Sequence, residues 1–138
     1  MVEKLQTVND ICLFVDDLNV SEQFYTEKMG FTVKRRQPGY IEFQMSGTSV
    51  TLWQKPGVYR AIPEKALGPR GHHFMIAVRV PALQEVDDIW TTLMERGVSA
   101  ISEPETYPWG ARAAYFPDPD GNIWEIFAWE ESDGPGLQ

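Results

Sequence analysis

Cysteine is almost absent from this sequence: Cys12 is the single one among 138 residues. No internal disulfide can form, which excludes the cross-linked secreted scaffolds and points to a reducing, cytoplasmic setting. Long apolar runs are missing as well. The stretch "FMIAV" (Phe74–Val78) is typical of the longest, so no segment approaches a membrane span, and "MVEKLQTVND" lacks the apolar core of a signal peptide. Positive charge is in short supply: 12 Lys and Arg stand against 20 Asp and Glu, a net charge of −8. Nucleic-acid phosphates need a basic face, so a nucleic-acid partner is not expected. The one basic run, "KRR" (Lys34–Arg36), reads most simply as a solvated strand end.

What is present is an ordinary globular composition, 43% hydrophobic and 12% aromatic, in a chain long enough to bury a sizeable core. The chain also contains itself twice. "DICLFVDDLNVSEQFYTEKMGFTV" opens with alternating apolar residues, passes through a helical stretch and ends in Gly-Phe. "HFMIAVRVPALQEVDDIWTTLMERGVSA" follows the same order and ends in Gly-Val, and "GTSVTLWQ" in the first half is echoed by "GNIWEIFA" in the second.

In the first copy a helix is expected over Val20–Met29, with Asn19 and Glu22 as a capping box and Gly30 as the stop. In the second, Val86, Ile89, Trp90, Leu93 and Met94 form one apolar face of a helix over Leu83–Arg96, stopped by Gly97. Strands are expected over Thr32–Arg36, Tyr40–Met45 and Ser49–Gln54, then over Val98–Ser102, Ala111–Phe116 and Asn122–Trp129. "PDPDG" is a turn by composition. It is not a calcium loop, because Glu125 follows Gly121 too soon and the other oxygen ligands are missing. A Pro- and Gly-rich linker, 55–71, joins module one (8–54) to module two (72–130), and a tail, 131–138, is expected to be mobile.

Two βαβββ modules, with "FVDDLNVSEQFYTEKMGF" early and "PWGARAAYFPDPDGNIWEI" late, resemble the vicinal-oxygen-chelate superfamily of glyoxalases, extradiol dioxygenases and bleomycin- and fosfomycin-resistance proteins. The resemblance covers roughly residues 8–130. It implies a single α+β domain in which the modules form a cup-shaped mixed sheet with helices packed outside, and a small-molecule ligand held in the cup. It implies nothing so specific about activity, since one fold hosts many functions.

Strand side chains alternate between faces. Asp10, Cys12 and Phe14 therefore share one face, as do Ser49, Thr51 and Trp53, as do His73, Met75, Ala77 and Arg79, and as do Ile123, Glu125, Phe127 and Trp129. Phe14, Trp53, Phe127 and Trp129 are candidates to stack on a planar ligand, or else they fill core volume. Trp109, in the Pro-Trp-Gly turn, is a candidate cover for the ligand. Arg112 is a candidate partner for a ligand anion or for Glu125.

The resemblance further implies metal-ligand positions at Asp10, Thr51, His73 and Glu125. His73 and Glu125 are the residue types the family uses there, whereas Asp10 and Thr51 are not, so the full ligand set of glyoxalase I is absent. Three readings stay open. One is a divalent-metal enzyme of lyase, isomerase or dioxygenase type, using His73, Glu125 and Asp10, with Glu125 moving a proton. The second is a metal-free protein that sequesters an aromatic or cationic antibiotic or toxin. The third is an accessory domain without activity. A homodimer is the expected assembly.

Overall fold

The structure, a computed structural model, describes residues 6–68 and 74–131. The expected ligand His73, its neighbour His72, the end of the linker and nearly all of the tail lie outside them. The chain divides into two compact units, Met1–Gly71 and His72–Gln138.

In the first unit, β1 (Asp10–Val15) leads into α1 (Leu18–Gln23), followed by β2 (Val33–Gln37), β3 (Tyr40–Phe43) and β4 (Ser49–Gln54), and then by two short helices, α2 (Lys55–Val58) and α3 (Glu64–Leu67). In the second, β5 (Ile76–Arg79) leads into α4 (Leu83–Glu95) and then β6 (Ser102–Thr106), β7 (Ala111–Pro117) and β8 (Ile123–Trp129). The two four-stranded sheets have matching orders, β1-β4-β3-β2 and β5-β8-β7-β6. In each, the first strand runs parallel to the last and the other pairs are antiparallel. The internal repeat in the sequence is therefore a repeat of topology, and the fold is α+β.

One face of each sheet is apolar and carries a helix. In the first unit Leu13, Val15, Ile41, Phe43, Val50 and Leu52 are buried. Tyr25, fully buried, packs its ring 5.5 Å from Phe43 and 5.6 Å from Phe31. It reaches that position because the helix widens into a π-helical turn, Phe24–Lys28, after α1. The extra residue in the turn lets the adjacent Phe24 and Tyr25 both enter the core. In the second unit α4 sets Val86 and Leu93 against Phe116, Trp124, Ile126 and Ala128, with Phe116 and Trp124 stacked at 6.4 Å. Among the described residues no helix is long and apolar enough to cross a membrane.

Two local expectations are corrected, and the linker gains local structure. The first helix starts earlier than Val20: Asp17 is its cap, with Oδ1 accepting from the Asn19 and Val20 amides at 3.0 and 3.1 Å. An aspartate one residue before the helix outcompetes Asn19 for the free amides. The strand expected over Val98–Ser102 lies instead at Ser102–Thr106. Its Pro104 and two glutamates are poor strand formers, but β6 is an edge, where a missing N–H and exposed charge are tolerated. Finally, part of the linker is helical, in α2 and α3.

The β7–β8 turn is held by Asp118, whose Oδ1 accepts from the Asp120 and Asn122 amides at 2.9 and 2.8 Å and whose Oδ2 accepts from Asn122 Nδ2 at 2.9 Å. This near-buried carboxylate satisfies donors that the reversal would otherwise strand. Asp118→Ala is expected to lower stability by about 2–3 kcal/mol, measured by urea unfolding with an unchanged denaturant slope.

Candidate functional site

Each sheet has a second face opposite α1 or α4, and strand register arranges that face in rows. On the first sheet three rows cross β1 and β4, two of them continuing onto β3. Asp10 lies beside Ser49, Cys12 beside Thr51 beside Glu42, and Phe14 beside Trp53 beside Tyr40. The last row is aromatic throughout, with Phe14 and Trp53 edge to face at 6.3 Å. Trp53 owes its seat to Gly57 in α2: a Cβ there would fall 2.9 Å from the indole Nε1. In the middle row Thr51 is fully buried, and its Oγ1 makes no hydrogen bond of good geometry. It is nevertheless close enough to Cys12 and Tyr40 to lower the pKa of each. Burial outweighs that effect and raises both, so Cys12 stays a thiol and Tyr40 a phenol at neutral pH. Glu42, with its side chain only 13% exposed, is flanked by Lys34 at 3.9 Å and Arg35 at 3.7 Å.

Asp10, Cys12, Phe14, Thr51 and Trp53 thus share a face, as alternation required. Tyr40 and Glu42 were missed. Their signal was the alternation of β3 itself, in which Ile41 and Phe43 enter the core and leave Tyr40 and Glu42 on the other side.

On the second sheet the pattern of β8 is strict. Trp124, Ile126 and Ala128 are buried beneath α4, while Ile123, Glu125, Phe127 and Trp129 are partly exposed on the opposite face. Phe127 and Trp129 meet edge to face at 5.7 Å. Glu125 lies directly across from Tyr115, whose hydroxyl donates to Oε2 at 2.5 Å. Burial, and then this bond to a carboxylate, push the Tyr115 phenol well above its ordinary range. The pair is a carboxylate with a neutral proton donor locked to it, among aromatic neighbours. Tyr115 was missed because its neighbour Phe116 is the core residue of that strand and the two types look alike in sequence.

Arg112, expected to partner a ligand anion or Glu125, is bonded elsewhere. It stands in register with Ala128, on the helix side, and grips Asp87 of α4 with two bonds of 2.7 Å and Thr106 Oγ1 with one of 3.1 Å. The bidentate guanidinium holds the Asp87 carboxyl below its usual range. Trp109 lies in the β6–β7 turn, half exposed and stacked on Tyr107 at 4.7 Å.

These donors do not fit a four-ligand metal site. Thr51 offers a neutral hydroxyl where an anionic ligand would be needed, Asp10 is exposed at the strand start, and Glu125 gives one oxygen to Tyr115. Among the described residues, no group of three or more His, Cys, Asp or Glu is arranged to hold a metal ion.

Because folding raises the Tyr115 pKa above the value of about 10 in an unfolded chain, its contribution to stability is complete below that pH and is lost as pH rises further. Stability is expected to fall above about pH 10, and Tyr115→Phe to flatten that fall while costing about 1–2 kcal/mol at neutral pH, measured by urea unfolding across a pH series.

Residues 7–126 match the family described as the Glyoxalase/Bleomycin resistance protein/Dioxygenase superfamily. A crystal structure of a glyoxalase/bleomycin resistance protein/dioxygenase from Nocardioides is 39% identical, with a TM-score of 0.84 over 96% of this chain and 89% of that one. A glyoxalase-related enzyme from Fulvimarina pelagi is 28% identical, with a TM-score of 0.76 over 96% and 99%. The uncharacterized protein YraH of Bacillus subtilis (strain 168) is 28% identical over 123 residues, 85% of this chain and 94% of its own length. With the repeated sheet topology and a family match over most of its length, the chain belongs to the glyoxalase/bleomycin resistance/dioxygenase superfamily.

Proposed function

We propose that this protein binds a small organic molecule on the faces of its sheets opposite α1 and α4. The observation that carries the reading is the Glu125–Tyr115 pair, a hydrogen-bonded acid and phenol flanked by Phe127 and Trp129 on that face. Tyr115 satisfies one oxygen of this carboxylate, and aromatic rings with a few polar groups suit a small ligand. Phe14 and Trp53 supply the same kind of surface on the first sheet, and Trp109 is proposed as a further contact from its turn. Metal-free sequestration of an antibiotic or toxin is the form of binding that the donors favour.

A second reading is a divalent-metal enzyme of lyase, isomerase or dioxygenase type resting on His73, Glu125 and Asp10. It is favoured by one observation, that Glu125 stands on the open face with a phenol rather than a cation as its partner. We extend the proposal to assembly and place. An edge strand, β5, with Val78 exposed on it and Met75 exposed just before it supports a homodimer, and the free thiol of Cys12 supports a cytoplasmic setting.

A thermal-shift and tryptophan-fluorescence screen against aromatic and cationic antibiotics tests the binding reading. A hit is expected to lose about five- to ten-fold in affinity on Phe127→Ala or Trp129→Ala, as one aromatic contact is worth about 1 kcal/mol. Affinity unchanged in both variants would count against it. Elemental analysis of protein prepared without chelators separates the second reading: stoichiometric Mn, Fe, Ni or Zn that disappears in Glu125→Gln would establish it in place of the first. Sedimentation equilibrium is expected to give twice the chain mass of 15.7 kDa, and a monomer would remove the dimer.

A further inference from the structure

The face of β8 opposite α4 carries a charge that its strand neighbours do not neutralise. Glu125, partly exposed, is met in register by Ala77 on β5 and Tyr115 on β7. Of the two, only the tyrosine has a side chain that can donate, and its hydroxyl takes one lone pair of Oε2. A carboxylate has about four such acceptor positions, so Oε1 and the rest of Oε2 stay open to a second donor. Among the described residues Glu125 forms no ion pair. Arg79, one row along and across from Phe127, is engaged elsewhere. Burial and the carboxylate hold the Tyr115 phenol above its ordinary range, so Tyr115 keeps its proton and cancels none of the charge.

The surroundings suit a flat group. Ala77 is an exposed methyl, so no bulky side chain flanks the carboxylate on the β5 side. Phe127 follows Glu125 on the same face, about 7 Å along the strand, and has the methyl of Ala113 across from it. Trp129 comes next, edge to face with Phe127 at 5.7 Å. An anion here would meet like charge, and a neutral donor would leave the charge unanswered. An ammonium would offset the charge with donors that point in three directions. An amidinium or guanidinium instead presents paired, parallel N–H groups matched to a carboxylate, on a plane that stacks against a ring.

We propose that this face takes a small aromatic molecule bearing an amidinium or guanidinium group, the paired N–H groups donating to Glu125 and the ring lying against Phe127 and Trp129. It rests on the small-molecule reading and deepens it, naming the class of ligand and making Glu125 the countercharge that selects it.

Binding is measured on the full chain in EDTA, which keeps metal out, by saturation-transfer NMR titration of four probes of similar shape: benzamidine, benzamide, benzylamine and benzoate. Benzamidine is expected to bind about ten-fold more tightly than its neutral isostere benzamide and about three-fold more tightly than benzylamine, and benzoate not to bind. Glu125→Gln is expected to bring benzamidine to the affinity of benzamide. Glu95→Gln, which removes an exposed charge at the end of α4, is expected to keep the preference. Equal affinity for benzamidine and benzamide in the unaltered chain, binding of benzoate, or a preference that survives Glu125→Gln would overturn the assignment. A preference lost equally in Glu95→Gln would overturn it too, since diffuse negative charge would then be the cause, and so would benzylamine binding as tightly as benzamidine. If no probe binds while the antibiotic screen yields a ligand sensitive to Phe127 or Trp129, small-molecule binding stands and the cationic class falls. If neither gives a ligand, both readings fall.

Discussion

The structure depends on the two-residue period of its central strands, β4 in one sheet and β8 in the other. Each is flanked on both sides within its sheet, and each has an apolar side-chain set committed to a helix: Val50 and Leu52 in β4, and Trp124, Ile126 and Ala128 in β8. A slip of one residue would exchange the faces, pulling Glu125 beneath α4 and expelling Trp124. Burial of those apolar side chains therefore holds the register, and the register in turn places Thr51 across from Cys12 and Glu42, and Glu125 across from Tyr115. The groups with chemical character have their positions because their neighbours in sequence have no choice of face.

That arrangement leaves polar groups on partly buried surfaces, and three of them are dealt with differently. Glu125 is met by a phenol across the strand pair, a neutral donor that leaves the site's negative charge in place. Glu42 has two loose cationic neighbours from β2. Thr51 is buried against Cys12 and Tyr40. A sheet face designed only for stability would carry none of these, since apolar replacements of like shape are neutral or better. The departures from that standard are concentrated on the faces opposite α1 and α4, while on the α4 side Arg112 and Asp87 satisfy one another with good bidentate geometry.

Much of the fold was legible from the residues. The duplicated order of strand, helix and three strands, the apolar stripe of α4, the turn at Asp118 and the alternation of β8 all depend on local pattern, which a chain carries openly. The misplaced β6 shows where that stops. Ser102–Thr106 has the composition of a loop and becomes a strand only because β7 offers it an edge to pair with. The cap at Asp17 and the π-turn that brings Tyr25 inward depend likewise on which amides and which core space remain available.

For the site the division is similar. Alternation alone grouped Asp10, Cys12 and Phe14, Thr51 with Trp53, and Glu125 with Phe127 and Trp129, because the side of a strand on which a residue emerges is a matter of counting. Which residues of different strands become neighbours is a matter of register, and no count along one strand supplies it. Tertiary structure alone paired Tyr115 with Glu125, brought Glu42 and Tyr40 into the rows of the first sheet, turned Arg112 away to Asp87, and buried Thr51 against Cys12 and Tyr40.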